Sequence, residues 1–168
     1  MRTSVTELFK IGIGPSSSHT VGPMRADHEF IQELSTSGTL KQCVSIRVDL
    51  YGSLALTGKG HATDRAVLLG LSGQTPAGVD PNAVDDLVER IRSGRSLVLP
   101  GGRIIPFDEA RDLIWNRSQI LHGHSNGMKF TAYGASGCVV LEQVYYSIGG
   151  GFIRREGEAS AASTEVVV

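Results

Sequence analysis

Three segments of the chain concentrate side chains that move protons and hold anions. Gly12-Ile-Gly-Pro-Ser-Ser-Ser-His-Thr20 sets hydroxyls, an imidazole and pliant backbone together at a place where apolar periodicity stops. Such a loop is unsuited to a core, but its N–H and Oγ–H groups can surround an anion. Gly58-Lys-Gly-His-Ala-Thr-Asp64 and Leu121-His-Gly-His-Ser-Asn-Gly-Met128 have the same character, and four of the five histidines fall in the three segments. A shared small-molecule site is the economical reading of that clustering.

His61 falls where a helix is expected to begin, so the positive end of the helix dipole disfavours its imidazolium form and suits it to accept a proton. His19 also precedes a helix, and Ser16, Ser17, Ser18 and Thr20 around it suit a carboxylate or phosphate. His122 and His124 are two apart and would share a face if their segment were a strand. A zinc site needs a third protein ligand, and no spacing supplies one. Each segment taken singly is equally a turn or a helix cap. Asp64 and Arg65 are read as well by a solvated helix end, and Gly12-Ile-Gly14 lacks the spacing of a dinucleotide-binding loop. The three loops are expected on one face of the domain, around an exposed hollow.

These loops need a scaffold. A helix is predicted from Pro23 to Leu34, with Ala26, Phe30 and Leu34 on one face. Cys43 to Tyr51 alternates as a strand, with Val44, Ile46, Val48 and Leu50 on one side and Ser45, Arg47 and Asp49 on the other. Further helices are expected from His61 to Leu71, from Asp80-Pro81 to before Gly94, and from Phe107 to Trp115. Two short strands flank Pro100-Gly-Gly102, and longer ones are expected at 119–124, 128–133 and 139–148. The fold class is α+β, a mainly antiparallel sheet with helices packed on one face.

With 168 residues the chain can bury one core, and 40% apolar and 20% charged residues are ordinary for a globular domain. A net charge of −1 without a basic cluster argues against nucleic acid. No apolar run approaches the roughly 18 residues of a membrane span, and the N-terminus lacks a secretory pattern, so a cytoplasmic location is expected. Cys43 and Cys138 lack a disulfide or metal spacing and read as buried reduced thiols. The stretch 155–168 reads as a linker.

Ser4 to Met24, including the Pro-Ser-Ser-Ser-His-Thr run, strongly resembles the start of bacterial iron–sulfur L-serine dehydratases. Tyr51-Gly-Ser-Leu-Ala-Leu-Thr-Gly-Lys-Gly-His-Ala-Thr-Asp64, His122-Gly-His-Ser-Asn-Gly-Met128 and Gly149-Gly-Gly-Phe-Ile153 resemble further signatures of that family. The resemblance implies that residues 1–154 form the β domain, similar in fold to the allosteric substrate-binding domain of D-3-phosphoglycerate dehydrogenases. The linker would lead toward a helical catalytic α domain that holds a [4Fe–4S] cluster, with none bound by the present chain. It implies conversion of L-serine to pyruvate and ammonia without pyridoxal phosphate, in amino-acid catabolism and gluconeogenesis, by a full-length homodimer. The cluster would act as Lewis acid on the serine hydroxyl. His61 would then be the base with His19 beside it, Ser16, Ser17, Ser18 and Thr20 would meet the carboxylate, and His124 and Asn126 would touch the substrate from a second side. The alternative is a regulatory amino-acid-binding module whose loops take no part in chemistry.

Overall fold

The computed structural model describes residues 16–158. Residues 12–15 of the first motif and 159–168 of the expected linker lie outside the described residues.

Helix α1 (Gly22–Thr36) begins with Pro23 in its first turn, where the missing N–H breaks no helical bond. Ala26, Phe30 and Leu34 recur every four residues and are fully buried. Strand β1 (Ser45–Tyr51) turns Ile46, Val48 and Leu50 into the same core. On its opposite side Asp49 is also buried, because Arg47 closes on it with two bonds of 3.0 Å and Asn116 Nδ2 donates from 3.2 Å. Helix α2 (Gly52–Thr57) follows at once. It was not foreseen, since a segment this short shows no period, and Gly52 at φ +55° makes the turn out of the strand.

Helices α3 (Thr63–Leu71) and α4 (Val84–Gly94) follow, then a hairpin of β2 (Ser96–Val98) and β3 (Ile104–Pro106). The expected helix from Phe107 to Trp115 is instead a single turn, α5 (Glu109–Asp112), capped by Asp108, and a strand, β4 (Leu113–Asn116). Leu113, Ile114 and Trp115 favour the pleat and lie parallel beside β1, Val48 opposite Leu113. Strands β5 (Gly127–Tyr133), β6 (Val139–Gly149) and β7 (Phe152–Arg155) complete the sheet in the order β4-β1-β5-β6-β7. All pairs except β1 with β4 are antiparallel. The fold is α+β, as the polarity patterns predict.

Three further local expectations fail. The segment 119–124 is irregular, with a turn at 122–123, rather than a strand, so no strand face holds His122 and His124 together. Its path is dictated by Gly123, which lies so close over the Tyr146 ring that a Cβ would meet ring carbon at 2.3 Å. Cys43 is buried as expected, but Cys138 is exposed, because the turn at Gly134–Gly137 delivers it to the solvent end of the β5–β6 hairpin. Arg155, placed at the head of the linker, is the last residue of β7 and pairs with Tyr145.

The core forms where α1 lies on the inner faces of β5 and β6. Phe30 stacks on Phe130 at 5.1 Å, and Phe130 meets Tyr145 edge-on at 5.7 Å. Burying a side chain such as Phe30 stabilises the fold by about 1.5–3 kcal/mol. The end of β1, the start of β5 and Tyr146 of β6 lie side by side (Leu50 opposite Met128, Gly127 opposite Tyr146). The second loop follows the chain that leaves β1 there, the third enters β5, and the first runs into α1 and is hydrogen-bonded to β6.

Candidate active site

His19 lies in a wide helical turn, Ser17–Val21, that runs directly into α1. Ser16 caps the turn by accepting the His19 N–H at 3.2 Å. The turn is drawn onto the sheet by Ser147, whose hydroxyl donates to the Ser18 carbonyl at 2.6 Å. Gly22 is required beside it, since a Cβ there would fall 2.0 Å from Ser147 Oγ.

His61 ends a 3-10 turn (Gly58–His61) that leads into α3. The turn is anchored by Gly58 packing on the Trp115 ring and by the Lys59 ammonium, 5.6 Å from the centre of that ring. Ala62, between His61 and α3, is left-handed at φ +57°. A non-glycine residue held there costs about 1–2 kcal/mol, and strain of this kind gathers at functional sites.

Two reciprocal hydrogen bonds join these turns. Thr20 Oγ1 donates to the His61 carbonyl at 2.7 Å, and Thr63 Oγ1 donates to the His19 carbonyl. Both threonines are buried. Thr20, expected among the anion donors, therefore has its hydroxyl committed to the scaffold. The imidazoles of His19 and His61 end up 4.9 Å apart between centroids, tilted by 47°.

The third loop joins the same corner. Ser53 N–H donates to the Ser125 carbonyl at 2.9 Å. Ser147 N–H donates to the Asn126 carbonyl at 3.0 Å, and the buried Asn126 side chain returns a bond to the Ser147 carbonyl at 3.2 Å. His124 Nδ1 accepts the Asn126 N–H at 3.0 Å, which leaves its ring proton on Nε2. His122 is exposed and makes no contact of this kind among the described residues.

The two paired histidines differ in what holds them. His19 is bonded at both ring nitrogens: Ser18 Oγ lies 2.8 Å from Nδ1 and Ser53 Oγ 3.0 Å from Nε2. Burial, then the neighbouring His61, push its imidazole below the ordinary value of 6.5, while the Ser53 backbone pulls the other way. Among the described residues no side chain hydrogen-bonds the His61 ring, which is partly exposed. One imidazole is fixed at both nitrogens, and the other has no side-chain hydrogen-bond partner among the described residues. Sequence reasoning did not single out Ser53, Thr63 or Ser147. Gly52-Ser53 at the end of a clean strand was the one signal that could have found Ser53.

The family model of the serine dehydratase beta chain matches residues 4–158. The chain belongs to that family. It is similar to an L-serine dehydratase of Streptomyces coelicolor, 49% identical over 96% of this chain and 35% of the relative. A second such relative, from Escherichia coli, is 49% identical over 91% of this chain and 34% of its own length. An L-serine dehydratase of Haemophilus influenzae is 45% identical over 89% of this chain and 33% of the relative. The chain thus spans about a third of the length of the relatives it matches. In this member of the serine dehydratase beta chain family, the matched region covers every described element that bears on the histidine pair.

Proposed function

We propose that this chain supplies the histidine- and serine-bearing side of an L-serine dehydratase active site, in an enzyme that converts L-serine to pyruvate and ammonia. The observation that carries the reading is the pair of imidazoles at 4.9 Å, each placed by a turn that enters a helix. Removing the weakly acidic Cα proton of serine requires a neutral base within reach and donors for the charge that develops on the carboxylate. His61 takes the proton, because its ring is unencumbered and partly exposed. His19, held at both ring nitrogens by serine hydroxyls, lies beside it as a hydrogen-bonding wall. Ser17, half-buried at the same turn, meets the substrate carboxylate, while Ser16 and Ser18 spend their hydroxyls on His19 and each other. His124 and Asn126 approach from the third loop. We place the enzyme in the cytoplasm, as a homodimer, and no helix among the described residues is long and apolar enough to cross a membrane.

The [4Fe–4S] cluster implied by the dehydratase resemblance does not fit the residues of this chain. Cysteine thiolates hold such clusters. Here Cys43 is buried and Cys138 exposed, and no group of three or more His, Cys, Asp or Glu gathers among the described residues. The cluster's ligands, and with them the second side of the site, belong to the α domain that we place after the linker.

The test uses the complete two-domain enzyme. His61→Ala lowers kcat by about 10²–10⁴-fold, the range for losing a general base, while the KM for serine moves much less. Exchange of the serine Cα proton with solvent deuterium is lost in the His61 variant and retained in a His19→Ala variant. Near-normal turnover with His61→Ala removes His61 as the base. Serine binding to this chain without any effect of either histidine on turnover favours the regulatory module instead.

A further inference from the structure

We propose that Ser53 is a positioning residue that holds His19 as its Nε2–H tautomer. The inference deepens the proposed dehydratase site and rests on His19 belonging to it, but its geometry is independent of the reaction.

The argument follows the protons. The His19 backbone N–H donates to Ser16 Oγ, so that hydroxyl has its own proton left to give. Ser18 Oγ lies 3.3 Å from Ser16 Oγ and 2.8 Å from His19 Nδ1. A hydroxyl that accepts from Ser16 has its proton free for the ring, so Ser18 donates to Nδ1. A neutral imidazole that accepts at Nδ1 carries its proton on Nε2, and Ser53 Oγ at 3.0 Å is the acceptor for it. Ser16 and Ser18 each take one proton and give one, and Ser53 takes the Nε2 proton while its own hydroxyl proton stays unspent beside the histidine pair.

Ser53 has the rigidity the role requires. It is the second residue of α2, directly after β1, and its N–H is pinned to the Ser125 carbonyl. Gly52 before it donates to the Gln119 carbonyl at 2.8 Å and fits so tightly that a Cβ would lie 2.1 Å from the Ser125 oxygen. The hydroxyl that orients His19 in the first loop is therefore borne by a backbone fastened to the third. His61, 4.9 Å from His19, is the ring that this fixed imidazole faces.

The test is proton–nitrogen correlation spectroscopy of this chain with 15N-labelled histidine, across a pH series. In the unmodified protein His19 shows a protonated Nε2, with an Nε2–H resonance slow enough in exchange to be seen near neutral pH. Ser53→Ala loses that resonance, because the oxygen that accepts the Nε2 proton is gone. Ser53→Thr, which keeps the hydroxyl, restores it, and Ser18→Ala keeps the proton on Nε2. A His19 proton on Nδ1, or a Ser53→Ala protein with the resonance unchanged, overturns the proposal. These readouts need no turnover, so they fail separately from the dehydratase reading.

Discussion

Thr20 and His61 are tied by a hydroxyl-to-carbonyl hydrogen bond of 2.7 Å across 41 positions of chain, and Thr63 returns the favour to His19. Each histidine turn is thus held by a threonine next to, or two beyond, the other histidine. Thr20→Val and Thr63→Val keep the side-chain shape and strand a buried carbonyl. Each is expected to destabilise the chain by about 1–3 kcal/mol in urea unfolding. The two changes act on one junction, so the double variant should depart from additivity by about 0.5–3 kcal/mol. Strict additivity would mean that the two bonds do not act as one clasp.

Gly52→Ala combines left-handed strain with a collision against backbone, and an expected loss of about 2–5 kcal/mol follows from the two together. The opposite change at the other left-handed position, Ala62→Gly, removes strain beside His61. It should alter stability by no more than about 1 kcal/mol, with a gain expected. Thermal unfolding of both variants checks the pair, and a harmless Gly52→Ala would deny the tight junction between β1 and the third loop.

Asp27 is fully buried in α1 where Gly70 of α3 passes, and neither carboxylate oxygen has a hydrogen-bond partner among the described residues. Burial alone raises its pKa well above 3.8. The folded state therefore holds this proton more tightly than the unfolded chain. The contribution to stability is complete below 3.8 and declines as pH rises toward the folded value, by at most about 1.4 kcal/mol per pH unit. Asp27→Asn should abolish this decline, so the difference between variant and parent in urea unfolding widens from pH 4 upward. Parallel pH profiles would show that Asp27 does not titrate with folding.

His19 contributes with the opposite sign. Its folded pKa lies below 6.5, so the unfolded chain takes up the proton first and stability falls as pH drops beneath 6.5. Once pH is below the folded value the loss is complete. His19→Gln should flatten the profile in that window, and an unchanged acid limb there would show that His19 ionises freely in the folded protein.

The scaffold was more legible in the sequence than the site. Four-residue spacing in Ala26, Phe30 and Leu34 and two-residue spacing in Ile46, Val48 and Leu50 reflect burial against one face, and burial leaves a periodic trace. Leu113 to Asn116 was lost to a helix because four residues are too few to display either period. Clustering of His19 and His61 in hydroxyl-rich loops was enough to predict that they meet. The parts of Ser53, Thr63 and Ser147 were not, because each acts through one hydrogen bond to a residue far along the chain. Thr20 shows the same limit from the other side: a hydroxyl in an anion-binding loop looks alike whether it faces a ligand or a distant carbonyl.

The bond from Ser147 to the Ser18 carbonyl spans 129 positions, and it sets an order of events during synthesis. The serine-rich turn emerges from the ribosome well before the strand that receives it. Loop closure over that distance comes late in folding, after local helices have formed. Until then the nascent chain carries its future histidine pair as two unconnected loops. A translation pause before β6 would therefore hold the protein with its helices present and its site unbuilt.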